Sequence, residues 1–117
     1  MQIVPSYDST DLPTVKLYRE CLQKYMSSSR PSPTSLEAFV NAMVMVEGLK
    51  RAGKDPTREK FIEAIESMNG FDIGLGPTAH LEFSPHHHKG LGRVYSTVVR
   101  GGKPEVFSDW AVVLAQK

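Results

Sequence analysis

The sequence predicts an α/β chain in which three helices are followed by a strand and a β-hairpin. Two observations carry this. Up to Met68, apolar side chains recur at helical spacing in three runs, separated by breaks rich in Pro, Ser and Gly. From Ala79 the period becomes two, and Gly101-Gly102 divides a closing stretch rich in Val, Thr and Tyr.

Residues 2–4 are apolar and stop at Pro5, which reads as the end of a strand. Residues 6–11 are turn-like. Asp11 or Thr10 is placed to cap a first helix, with Pro13 tolerated in its first turn. Val15, Tyr18, Leu22 and Tyr25 make its apolar stripe, widened by Leu17 and Cys21. Residues 27–33 form a loop by composition.

Thr34 and Glu37 have the spacing of a capping box for a second helix. Leu36, Phe39, Val40, Met43, Val46 and Leu49 share one face of it. Val44 and Met45 extend that face, which predicts a helix buried on more than one side. Gly53 ends it, behind Lys50 and Arg51, whose charges suit the negative end of the dipole. A third helix begins near Asp55-Pro56-Thr57, presents Phe61, Ile62, Ile65 and Met68, and stops at Asn69-Gly70. Its glycines and proline predict a loop over residues 71–77. Ala79, Leu81 and Phe83 then alternate with His80 and Glu82 as in a strand with one wet face. Residues 93–100 and 103–107 are the arms of the hairpin.

The 117 residues are enough for one domain, with 40% hydrophobic and 23% charged residues, near the soluble average. A net charge of +1 provides no long-range field, so no nucleic-acid partner is expected. The single cysteine, Cys21, allows neither an internal disulfide nor a cysteine zinc cluster. No apolar run approaches the ~20 residues that span a bilayer. Residues 1–5 lack the basic and apolar regions of a secretory signal, which by itself predicts a chain that stays in the cytoplasm.

His86-His87-His88, with His80 nearby, carries imidazoles that can ligate metal. Consecutive positions in an extended loop point to opposite sides and do not converge as zinc ligands do, so the run is read as a polar surface loop. Ser, His and Asp are present, but there is no nucleophile elbow. Glu59, Glu63 and Glu66 alternate with Arg58 and Lys60 as on a solvated helix face. Gly74-Leu75-Gly76-Pro77 is too short to cradle a phosphate, and no lysine follows at the required spacing. Trp110 is read as a packing anchor and Tyr7 as a half-buried loop residue, each with ligand stacking or lining as the alternative. No catalytic set, metal site or cofactor is predicted, and so no enzyme.

Five segments, in this order and spacing, resemble the type I periplasmic solute-binding proteins that serve branched-chain amino-acid (leucine/isoleucine/valine) ABC transporters. They are Val4-Pro5-Ser6-Tyr7-Asp8 with the helix from Asp11; Pro33-Thr34-Ser35-Leu36-Glu37-Ala38-Phe39 running on to Gly53; Thr57-Arg58-Glu59-Lys60-Phe61-Ile62-Glu63-Ala64-Ile65-Glu66; Gly74-Leu75-Gly76-Pro77 with Leu81-Glu82-Phe83-Ser84-Pro85 and His88-Lys89-Gly90; and Val94-Tyr95 running into Lys103. The resemblance reaches Phe107, and residues 109–117 are not placed by it.

It implies the C-terminal part of a fold of two α/β lobes joined by three crossovers, with ligand caught between the lobes by hinge closure. Residues 1–85 would be the helical part of the first lobe, beginning at a crossover strand. Residues 86–117 would hold the third crossover and a hairpin of the second lobe. Thr34 and Ser35, at a helix N-terminus suited to a carboxylate, would lie near the ligand, with Ser6 and Tyr7. Phe39 would be core or flank the pocket. The implied function is periplasmic capture of amino acids or small carboxylates for an ABC permease. Since much of the cleft lies outside these residues, unpaired strands and a helix face without its sheet also predict self-association. The rival readings are a ligand-sensing receptor domain of the same fold and an unrelated small α/β protein.

Overall fold

The computed structural model describes residues 3–77, 79–95, 97–106 and 111–112. Three helices come first: α1 (Pro13–Tyr25), α2 (Pro33–Ala52) and α3 (Arg58–Glu66). Six short strands follow: β1 (Asn69–Asp72), β2 (His80–Glu82), β3 (Arg93–Val94), β4 (Thr97–Arg100), β5 (Lys103–Val106) and β6 (Ala111–Val112). They pair antiparallel, as β1 with β2, β3 with β6 and β4 with β5. The three helices, the strand at Leu81 and the closing hairpin are as the sequence predicts.

Several predicted details are corrected. Ile3 and Val4 form a bend, not a strand, because no described strand pairs with them; Gln2 lies outside the described residues. Val4 is nonetheless buried in the core. Neither Asp11 nor Thr10 caps α1. Its N-cap is Leu12, without a side-chain hydrogen bond, and Pro13 takes the first helical position. The Thr14 amide, unpaired within the helix, instead donates to Gly74 O at 3.2 Å. The Thr14 hydroxyl donates to Ile73 O. A distant loop thus does the work of the cap.

α2 begins earlier than its predicted Thr34–Glu37 box. Ser32 is the N-cap, Pro33 is at the first helical position and Ser35 completes the box. Proline at that position already has helical φ and has no amide to leave unpaired. Nor is α2 buried on more than one side, since Met45, Val46 and Leu49 are exposed. Its C-terminal half meets α3 through Gly48, which is buried. Thr57 caps α3 by accepting from the Lys60 amide at 3.2 Å.

The predicted loop after α3 is also corrected. Helix α3 stops at Glu66, and residues 69–72 are β1, paired with β2 through Phe71↔Leu81 and Asp72↔His80. The register slips between Asn69 and Phe71, where Gly70 has φ 73°. A glycine bulge of this kind hides a strand from a period-two reading. The final hairpin turns on Gly101 and Gly102, at φ 56° and 77°, the two positive angles that a type I′ turn demands. Phe107 and Trp110 lie outside the described residues.

One core joins the three helices to the β1–β2 pair. Val15 and Tyr18 of α1, Leu36 and Val40 of α2, Met68, Ile73, Leu75, Ala79 and Leu81 are all buried in it. Leu22 of the α1 stripe is half-buried, while Leu17 and Tyr25 face solvent. The glycine-rich loop between β1 and β2 is held from two sides. Thr14 binds it at Ile73 and Gly74, and the buried Tyr95 hydroxyl donates to Leu75 O at 2.5 Å.

Candidate functional site

The polar groups that converge most closely lie at the start of α2. The Tyr18 hydroxyl reaches across from α1 and shares a hydrogen bond with Ser35 Oγ at 2.5 Å. The Ser32 amide donates to both Tyr18 Oη and Ser35 Oγ, each at 3.2 Å. The Ser35 amide donates back to Ser32 Oγ at 3.1 Å, and the two serine hydroxyls lie 2.9 Å apart. The three side chains therefore satisfy one another and fix the direction from which the chain enters α2.

The same wiring shows which donor is left over. Pro33 has no amide. The Ser35 amide is taken by Ser32 Oγ, and the Leu36 amide by Ser32 O at 3.0 Å. Thr34, exposed at the second helical position, retains its amide and hydroxyl for an outside acceptor, at the positive end of a 20-residue helix. Ser35 is held inside the network. Sequence reasoning missed Ser32 and Tyr18. Ser32-Pro33 is a local signal for a cap, whereas Tyr18 is brought there only by the packing of α1 on α2.

Ser6 and Tyr7 sit in a turn before α1 and are half-buried, Tyr7 packing against the core. Ser6 Oγ accepts from the Asp8 amide at 3.3 Å, and Asp8 pairs with Arg19 of α1 at 3.4 Å. Both charges of that pair are solvated, so it positions the turn without adding much stability. The turn and the α2 terminus share no hydrogen bond.

The histidines are apart in role. His86 and His87 are exposed, and His87 and Ser84 exchange backbone hydrogen bonds of 2.9 and 3.0 Å. His88 Nε2 lies 3.0 Å from Glu66 Oε1 at the end of α3. His80 Nε2 donates to Pro77 O at 2.8 Å, leaving Nδ1 buried without a partner. Among the described residues no three His, Cys, Asp or Glu are grouped to hold a metal ion.

A second feature is an apolar hollow of about 530 Å³ between α1, α2 and β1. Leu17, Phe39, Met43, Val46 and Phe71 line it, with Glu47, Lys50 and Asp72 also present. It places Phe39, half-buried, at the edge of the core. Thr34, Ser35, Ser6 and Tyr7 do not line it.

Replacing Ser32 by Ala removes the reciprocal cap of α2. We expect a loss of about 1 kcal/mol, within the 0.5–2 kcal/mol range for such caps, measured by urea denaturation. An unchanged midpoint would show that the network contributes nothing to the helix start.

Comparison with known proteins bears on the α2 terminus. A family model described as periplasmic binding protein matches residues 1–103. A crystal structure described as a possible leucine/isoleucine/valine-binding protein from Rhodopirellula baltica SH 1 superimposes with a TM-score of 0.83 at 29% identity. The match covers 92% of this chain and 28% of that one, so this chain spans less than a third of that protein. No curated protein matches.

Proposed function

Because the chain belongs to the periplasmic binding protein family, we propose that it is part of a solute-binding component that captures a small molecule in the periplasm for uptake. The family match over residues 1–103 carries this reading. The α/β fold, with its three helices, strand and hairpin, agrees with part of a type I periplasmic binding protein and supports it. Among the described residues no helix is long and apolar enough to cross a membrane.

In this reading the ligand is an amino acid or a related small carboxylate, and the complete protein delivers it to an ABC permease. The chemistry at α2 supports a carboxylate. A free amide and hydroxyl on Thr34 stand at a helix N-terminus, where an anion is favoured by both hydrogen bonds and the dipole. Ser35 acts by holding Ser32 and Tyr18, and so the helix start, in place. Ser6 and Tyr7 line the same cleft from the turn before α1. Residues 1–85 belong to one lobe and residues 86–117 to the crossover and hairpin of the other.

A thermal melt with a panel of amino acids and small carboxylates tests this. A ligand at about 100 times its dissociation constant adds about 2.7 kcal/mol to the folded state, enough to raise the midpoint by several degrees in a chain of this size. We expect one chemical class to do so, and Thr34→Val, which removes the hydroxyl and keeps the amide, to reduce the rise while leaving the unliganded midpoint in place. A panel without any shift would remove the binding role from this chain.

A further inference from the structure

We draw no further inference here: the strongest candidate, the apolar hollow between α1, α2 and β1, lies on an unpartnered face of a chain that spans less than a third of the related structure, and nothing in the structure shows what covers it.

Discussion

Leu36→Ala should lower the stability of this chain by about 2–5 kcal/mol, the range for emptying a well-packed leucine site. Leu36 is fully buried, in the first turn of α2, within the cluster that contains Val15, Tyr18 and Leu81. That cluster is fed by α1, α2 and the β1–β2 pair with its loop, so no single element can shift to fill the cavity. In a domain of this size the change corresponds to a fall in melting midpoint of roughly 8–20 °C. Ile62→Ala on α3 is the control. Ile62 is 42% exposed, and we expect it to cost under about 1 kcal/mol. Equal losses from the two variants would mean that the core is not where the structure puts it. Leu36 also follows directly on Thr34 and Ser35, so its removal should loosen the α2 start along with the fold.

Gly48→Val should be almost as damaging, for the opposite reason. A Cβ at Gly48 would come within 2.6 Å of Ile65 Cδ1 and 2.8 Å of Phe61 Cε2. The two helices touch there because one of them lacks a side chain. Overpacking of this kind costs about 1–3 kcal/mol. Replacing a mid-helix glycine returns only a few tenths, because valine is itself a modest helix former. The test of mechanism is a double mutant with Ile65→Ala. Each single change destabilises, but together they should cost less than the sum, since the shortened Ile65 makes room for the new methyl groups. Strict additivity in urea denaturation would show that α2 and α3 do not meet at this point.

These two sites differ in how far the sequence discloses them. Leu36 could be read as core directly, because it begins a run of apolar residues at helical spacing. Gly48 could not, since a glycine inside a helical run reads as a cost, and only the neighbouring α3 turns it into a contact. The exposed Met45, Val46 and Leu49 make the same point in reverse. Their periodicity marks an apolar face, but periodicity does not say whether anything packs on it. Strand β1 was hidden because its Gly70 bulge breaks the alternation and because a strand is defined by its partner, here β2.

The candidate site divides along the same line. Thr34 and Ser35 are proposed from a resemblance carried by residues that adjoin them in sequence. That the Ser35 hydroxyl is also held by the Tyr18 hydroxyl depends on a residue 17 positions away. The sequence by itself determined the three helices, the strand at Leu81, the glycine-turned hairpin and the family. The elements rest on spacing and turn chemistry within a few residues, and the family on a resemblance that runs over most of the chain. Only the tertiary structure decided which apolar face is buried, how α1 dispenses with a cap and how Tyr18 joins the cap of α2. Each of those depends on groups far apart in the chain satisfying or excluding one another, and no local pattern records such contacts.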